Sequence, residues 1–378
     1  MQKPLLITIA IVILLLALGS WAYLFFFGAP QDPDEFFTDL GIGLTTQQVV
    51  PVASEDAEVM RLEIVGSSLQ QLTLRPVAGF VGVTTSIVRY VEQGTGHIYE
   101  INLDDGSEVR ISNTTLPQIQ TAVFDRSGEQ VVLQAYGQTP NAVIGTIVNG
   151  GLSTRSLPPT AQNVTFTSST TIAYTISTQG ETTGYIYDTT TDSQTIEFIV
   201  PFGSVVAHYT LTGTYVSNRH TPELEGTLWS VAGRTFTQVS INAFGFMVEL
   251  GPSWYSMAFT EDNTYQSRAV NVNTNEVVQL PVSFIPEKCD WGVNTLWCAA
   301  PFEPIGHTYV KDWYQGTIRA NDALWIINPA SETAELAVNP VTEIGRQLDI
   351  TNLTQLDLEQ LLFTNRQDNT LWLYDRAR

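Results

Sequence analysis

The order of apolar and polar positions divides the chain into two unequal parts. Beyond about residue 69, β-branched and aromatic residues alternate with polar residues in short runs, and Gly, Asn, Asp and Pro separate these runs. Alternation with a period of two is typical of strands that bury one face, and the separating residues favour turns. Helical periodicity is almost absent from this region. The pattern predicts an all-β fold.

One sequence element recurs along this part of the chain. It consists of a small or polar residue, an apolar residue, an aromatic residue and further alternation, with copies at residues 97–101, 184–188, 227–231, 323–327 and 370–374. The aromatic residues that recur in these copies are Tyr99, Tyr187, Trp229, Trp325 and Trp372. Their fixed place within the element favours packing between neighbouring units over an array that stacks on sugars.

Each copy belongs to a unit of four short antiparallel strands. The first strands are predicted to begin near Ala78, Thr121, Asn163, Val205, Gly245 and Glu287. A four-stranded unit with a period of about 40–45 residues is typical of a β-propeller blade. A last unit stops after its third strand, and a lone strand near residues 69–75 can complete it and close the ring. We therefore predict a propeller of about seven four-stranded blades.

The N-terminal part of the chain has a different character. Residues 5–27 are apolar except for a few small or polar residues, and at 1.5 Å per residue they reach roughly 34 Å, enough to cross a bilayer core. Lys3 precedes this run and acidic residues follow it. The positive-inside rule then predicts a transmembrane α-helix with a cytoplasmic N-terminus at residues 1–4. A cleaved signal peptide is the alternative.

These patterns give a complete domain prediction. Residues 28–54 are acidic and contain Pro, so we expect them to form a spacer after the anchor, and residues 55–378 are predicted to form the propeller domain. Everything after the anchor is predicted to be extracytoplasmic.

Charge excludes one class of partner. The net charge is −21, from 38 acidic and 17 basic residues, and no cluster of Lys and Arg is present. Binding to nucleic acid requires such clusters to replace the phosphate counterions, so we predict no nucleic-acid partner.

The repeated units resemble the WD-repeat-like blades of TolB-type propellers. In those blades a strand ends in an Asp-Gly turn and a later strand carries an aromatic residue, and residues 125–129 match that turn most closely. The order of anchor, acidic spacer and propeller also resembles membrane-anchored bacterial propellers. The resemblance implies a fold and leaves the function open, because propellers serve in binding, scaffolding and catalysis.

The chain has two cysteines, and they lie close together in sequence. Cys289 and Cys298 would face each other in a hairpin centred on Val293 and Asn294, at a Cα separation that a disulfide can bridge. An oxidising location outside the cytoplasm permits this bond. We predict a structural disulfide, and two buried free thiols are the alternative.

The unit that contains the cysteines also carries an insertion of about twenty residues, from Phe302 to Asp322. Basic and aromatic side chains on loops of a rigid scaffold often bind partners. The candidate binding residues are His307, Tyr309, Lys311, Asp312, Trp313, Tyr314 and Arg319. In the alternative interpretation, Trp313 and Tyr314 fold back and cover the end of the propeller.

The sequence contains no recognisable catalytic or metal-binding motif. His97, His208, His220 and His307 lack the spacing of a zinc site, and no nucleophile elbow, P-loop or dinucleotide motif is present. We predict no metal, no cofactor and no catalytic residue. A pair of carboxylates from different blades could still form a glycosidase site.

The function predicted from these features is a membrane-anchored binding or scaffolding module of the cell envelope. Its partner would be another envelope protein or an extracellular polymer. The alternative is an envelope hydrolase or lyase that acts on carbohydrate or peptide with residues at the mouth of the propeller channel. A cluster of carboxylates with shifted pKa values at that channel would favour the enzyme.

Overall fold

The computed structural model describes residues 67–378, except residues 137–139, 263 and 307. Within these residues the chain forms twenty-nine strands in seven antiparallel sheets. The first strand is β1 (Leu69–Gln71). The predicted anchor at residues 5–27 and the predicted spacer lie outside the described residues. No helix in the described part of the chain is long and apolar enough to cross a membrane.

The first four sheets form blades one to four. Blade one contains β2 (Val77–Gly82), β3 (Ile87–Glu92), β4 (Ile98–Asn102) and β5 (Glu108–Ser112). Blade two contains β6 (Ile119–Phe124), β7 (Gln130–Ala135), β8 (Asn141–Val148) and β9 (Gly151–Leu157). Blade three contains β10 (Gln162–Ser168), β11 (Thr171–Thr178), β12 (Glu181–Asp188) and β13 (Ser193–Val200). Blade four contains β14 (Val205–Thr210), β15 (Gly213–Asn218), β17 (Leu228–Ala232) and β18 (Thr235–Gln238).

The remaining sheets form blades five to seven. Blade five contains β16 (Glu225–Gly226), β19 (Ala243–Leu250), β20 (Trp254–Glu261), β21 (Thr264–Asn271) and β22 (Val277–Gln279). Blade six contains β23 (Cys289–Trp291), β24 (Leu296–Ala300), β25 (Ala323–Asn328) and β26 (Thr333–Val338). Blade seven contains β27 (Ile350–Gln355), β28 (Gln360–Asn365), β29 (Thr370–Asp375) and β1. Two short helices are α1 (Tyr309–Tyr314) and α2 (Pro340–Ile344), and a single 3₁₀ turn spans Pro286–Lys288.

The sheets form a seven-bladed propeller, as the sequence predicted. First strands of neighbouring blades contact one another, for example β2 with β6 and β23 with β27, so they surround the central channel. Blade seven is completed by β1, which pairs antiparallel with β29 in a register that places Leu69 opposite Tyr374. The first strands begin within two residues of their predicted positions. Blade five differs, because the short strand β16 pairs with β19 and makes a fifth strand.

Local sequence accounts for the tight turns of the blades. The turn between β8 and β9 is formed by Asn149 and Gly150, which have φ values of 49° and 78°. A two-residue hairpin turn requires positive φ at both positions, and Asn-Gly tolerates this best. In the turn between β6 and β7, the Asp125 side chain accepts hydrogen bonds from the backbone N–H groups of Ser127 and Gln130 at 3.1 and 2.8 Å. These turns fix the strand register.

The antiparallel order of the strands gives the propeller two distinct faces. Turns after the first and third strands of each blade lie on one face, which we call the turn face. Connections after the second strand, and the connections from one blade to the next, lie on the opposite face. Residues 302–322 connect β24, the second strand of blade six, to β25, the third. We therefore call this opposite face the insertion face.

The core is a ring of apolar seams between the blades. Each pair of neighbouring blades shares one cluster of buried side chains. The seam between blades six and seven contains Trp297, Leu324, Phe363 and Trp372, together with Leu69 from β1. The recurring aromatic residues are buried or half-buried, and Tyr99, Tyr187 and Trp372 belong to these seams. Their predicted role in packing between blades is confirmed.

The predicted disulfide is present. Cys289 and Cys298 are directly opposite each other in the pairing of β23 with β24, with a Cα–Cα distance of 4.1 Å and an S–S bond of 2.07 Å. The hairpin turns at residues 292–295, as the sequence predicted. Both cysteines are buried in the seam between blades five and six.

We expect closure of the ring to limit the stability of the domain. Leu69 is 2% exposed in the closing strand, so Leu69→Ala should lower the free energy of unfolding by about 2–4 kcal/mol. Leu358 lies in a turn of the same blade and is 81% exposed, so Leu358→Ala should change it by less than about 0.5 kcal/mol. Denaturant titration of both variants tests this. Equal effects would show that β1 does not hold the ring closed.

Candidate functional site

The insertion folds back onto the propeller. Val310 and Trp313 on α1 are 1% and 4% exposed, and they pack against apolar side chains of blade five and of the connection from blade five to blade six. These partners are Met247, Ala258, Tyr265 and Ile285. Trp313 therefore folds back and covers the end of the propeller, as in the alternative interpretation of the sequence.

A buried polar cluster fixes the insertion in place. Lys288 Nζ lies 2.5 Å from Asp322 Oδ2 and 3.0 Å from Asp349 Oδ1. The indole N–H of Trp313 donates to Asp349 Oδ1 at 2.9 Å. Arg366 donates to the carbonyl oxygen of Trp313 at 2.7 Å, and its guanidinium carbon lies 4.2 Å from the centre of the Trp313 ring. Blade seven thus holds α1 by hydrogen bonds, in addition to the apolar packing against blade five.

The predicted binding residues divide between the interior and the surface. Trp313 is buried, and Tyr309 is half-buried with a hydroxyl group that has no hydrogen-bond partner among the described residues. Lys311, Tyr314 and Arg319 are exposed, and Asp312 is half-buried. His307 lies outside the described residues. The structure therefore brings Lys311 and Tyr314 to the insertion face on one short helix.

Exposed residues of the helix continue into the neighbouring blade. Lys311 Nζ pairs with Glu223 at 2.8 Å, in the connection between β15 and β17. The ring of Tyr314 stacks on His220 from the same connection, with 5.3 Å between the ring centres. The surface formed by α1 therefore extends from blade six across blade five to blade four.

Three clefts lie beside α1 and Arg219 on the insertion face. The first, of about 610 Å³, lies between α1 and blades four and five and is lined by Glu223, Phe244 and Lys311, among others. Two further clefts, of about 330 and 580 Å³, share Gly203, Ser204 and Arg219 and extend to blades five and two. The guanidinium group of Arg219 is exposed and makes no hydrogen bond or ion pair within the described residues. Arg219 is not predicted from the sequence, because a single Arg in a blade connection has no distinguishing spacing.

The channel has an acidic wall on the side of blades five and six. Burial raises the pKa of Glu249, in β19, and together with the carboxylates of Asp290 and Glu287 it brings this pKa to about 8. Burial also raises the pKa of Asp290. It raises that of Glu287 as well, although Tyr314, Arg219 and Arg366 oppose this rise. Glu287 and Glu249 are crowded by protein atoms, yet part of each side chain is accessible to solvent. This combination is expected of residues that line a narrow channel.

The wall provides groups that differ in protonation. A pKa of about 8 keeps Glu249 protonated at neutral pH, so this side chain can donate a proton in the channel. On the same inner ring, burial lowers the pKa of His208 to about 4, and its Nε2 lies 3.0 Å from the Ser217 hydroxyl. No group of three His, Cys, Asp or Glu side chains in the described residues is arranged to hold a metal ion.

Comparison with solved structures identifies the fold. YCF48 bound to D1 peptide matches with a TM-score of 0.56 at 11% identity, over 83% of this chain and 96% of the other. The β-propeller domain of the Trilobed protease from Pyrococcus furiosus matches at 0.55 and 10% identity, over 77% and 93%. Oligogalacturonate lyase from Vibrio parahaemolyticus matches at 0.54 and 10% identity, over 81% and 93%.

The chain has the β-propeller fold. TolB from Acinetobacter baumannii also matches, with a TM-score of 0.44 at 11% identity. The predicted resemblance is confirmed at the level of the β-propeller fold by the three matches with TM-scores of 0.54–0.56, whereas the membrane-anchored type stays a prediction. No protein-family description and no curated protein matches the sequence. At about one residue in ten identical, these matches carry no information about function.

We expect the acidic wall to make stability depend on pH. The pKa of Glu249 is about 8 in the folded chain against an ordinary 4.5, so between these pH values the folded state binds more protons than the unfolded state. Stability from this group should therefore fall as pH rises through that window. Glu249→Gln should make the melting temperature fall less steeply with rising pH. Glu276→Gln, at an exposed turn, should leave this pH dependence unchanged. An unchanged pH profile in Glu249→Gln would contradict the raised pKa.

Proposed function

We propose that this protein is a binding or scaffolding module that recognises another protein through its insertion face. The proposed location is the cell envelope, with the N-terminal segment as a membrane anchor and the propeller outside the cytoplasm. The proposed site consists of exposed α1 residues Lys311 and Tyr314, together with Arg219 and the three clefts beside them.

One observation supports the proposal above all: the insertion at residues 302–322 and the three clefts lie on the same face of the propeller. The insertion is the longest connection between the second and third strands of a blade, and α1 borders the largest of the three clefts. Protein-binding sites are enriched in Tyr and Arg, often on loops that a rigid scaffold positions. A ring closed by β1 supplies such a scaffold.

The face also combines opposite charges within an acidic protein. Lys311 and Arg219 are exposed there in a chain of net charge −21, and Glu223 and Asp262 line the same cleft as Lys311. A partner with both acidic and basic side chains would match this surface, and the positive groups would fix its orientation.

Retention of a partner by the full chain tests this proposal. The bait is the full-length protein, and the partners are detergent-solubilised envelope proteins from the source cells. The double variant Arg219→Ala and Lys311→Ala should retain the bound partner at least about tenfold more weakly, because exposed Arg and other anchor residues dominate such interfaces. Trp313 is left unchanged because it is buried.

A matched double variant controls for charge. Arg126→Ala and Arg234→Ala remove the same two positive charges from turns on the turn face, where both residues are exposed. This variant should retain the partner like the parent. Equal loss in both double variants would show that net charge, and not the insertion face, determines binding. A parent that retains no partner contradicts the proposal.

The acidic wall favours a second candidate function, a hydrolase or lyase that acts on carbohydrate or peptide. The observation is Glu249, whose raised pKa suits a general acid and whose neighbours Asp290 and Glu287 supply carboxylates. Turnover of oligosaccharide and peptide panels by the full chain tests it. Any activity should fall by about 10²-fold or more in Glu249→Gln. Activity that survives this substitution would exclude the acidic wall as its source.

A further inference from the structure

Lys288 occupies an unusual environment. It is one of three lysines in the chain, and its side chain is 2% exposed. Its ammonium group contacts two carboxylates, Asp322 and Asp349, which are 0% and 3% exposed. A buried ion pair is a poor source of stability, because the loss of hydration can exceed the attraction between the charges. This cluster therefore calls for a further explanation.

The two carboxylates differ in how they are held. Both oxygens of Asp349 accept hydrogen bonds, from the Trp313 indole at 2.9 Å to Oδ1 and from the Ala320 N–H at 3.2 Å to Oδ2. Asp322 Oδ2 accepts the N–H of Ile350 at 2.8 Å, whereas the buried Asp322 Oδ1 has no partner among the described residues. Asp349 is thus stabilised as a carboxylate, and Asp322 has one oxygen free to leave.

We propose that Lys288 and Asp322 condense to an intramolecular isopeptide bond, with Asp349 as the general base. The elements are a buried amine, a carboxyl group in contact with it, and a second carboxylate within reach of the same nitrogen. Nζ lies 2.5 Å from Asp322 Oδ2 and 3.0 Å from Asp349 Oδ1. The Trp313 ring, 5.0 Å from Nζ, covers the site.

The reaction is a dehydration that needs no oxidant and no activating group. A proton passes from the Lys288 ammonium to Asp322, which leaves a neutral amine and a carboxylic acid whose proton is carried on Oδ1. The nitrogen lone pair attacks Cγ of Asp322, and Asp349 accepts the proton that the nitrogen loses. Asp349 then returns this proton to Oδ1, the Cγ–Oδ1 bond breaks, and one water molecule leaves. Asp349 ends as a carboxylate, so atoms and charge balance.

Contacts in the cluster support the protonation of Asp322 and the attack on Cγ. Burial raises the pKa of Asp322, which favours the protonated acid, and Asp349 raises it further against the opposing effect of Lys288. The Ile350 N–H is placed to stabilise negative charge that develops on Oδ2 during attack. Groups held in contact in a site closed to water react with effective concentrations far above those in solution, which favours the amide over hydrolysis.

The bond would join the two ends of the segment that contains the insertion. Lys288 immediately precedes β23, and Asp322 immediately precedes β25. The disulfide between Cys289 and Cys298 lies next to it. Two covalent cross-links would thus fix the base of the insertion to blade six. The inference does not depend on the proposed function, since it concerns only these three side chains.

Mass spectrometry of the full chain, reduced and denatured, tests the proposal. The wild type should be lighter by one water molecule than its sequence requires, and fragmentation should place the loss in a peptide pair that links Lys288 to Asp322. Asp349→Asn keeps the size of the side chain but removes the base, so it should show the mass without this loss. Comparing the two proteins cancels any processing of the N-terminus.

Amine labelling provides an independent measurement. In denaturant, the wild type and Lys288→Met should take up the same number of amine-reactive labels, because Nζ of Lys288 is already acylated. Asp349→Asn should take up one label more. A wild type of full sequence mass, with a labelled Lys288, would overturn the proposal. A bond that persists in Asp349→Asn would overturn the role assigned to Asp349.

Discussion

The pairing of β1 with β29 is the constraint on which the rest of the structure depends. A blade buries little of its own apolar surface, and most of the core lies in seams between neighbouring blades. Blade seven takes part in two seams, and its outer strand comes from the beginning of the domain. Opening this pair would expose an unpaired strand edge and weaken both seams together. The clefts and the insertion keep their positions only while the ring is closed.

The insertion depends on this ring in turn. Its helix has only six residues, too few for a stable isolated helix, so its conformation comes from packing and from the polar cluster beneath it. Lys288 and Asp349 belong to blades six and seven, and Asp322 ends the insertion itself. One cluster therefore ties the helix to two blades. Exposed Lys311 and Tyr314 are placed by residues that no partner can reach.

The sequence predicts the fold better than the site for a physical reason. A period of two and a repeat of about forty residues reflect contacts that recur in every blade, so first strands could be placed within two residues and the pairing of Cys289 with Cys298 foreseen. Lys288, Asp322 and Asp349 meet only once, across 34 and 61 positions of sequence. A contact that is made only once produces no repeated pattern in the sequence, so it could not be predicted. Trp313 was placed among the binding residues because its type alone does not reveal whether it faces solvent.

The two candidate functions make different demands on the acidic wall. An enzyme would use Glu249 as an acid that faces a substrate in the channel, so the raised pKa would be part of its chemistry. In a binding module the same carboxylates only add unfavourable charge to the channel, and protonation of Glu249 at neutral pH limits that cost. Raised pKa values therefore fit either function. The insertion face distinguishes the two functions better, because α1 lies at the edge of a cleft and has no part in closing the ring.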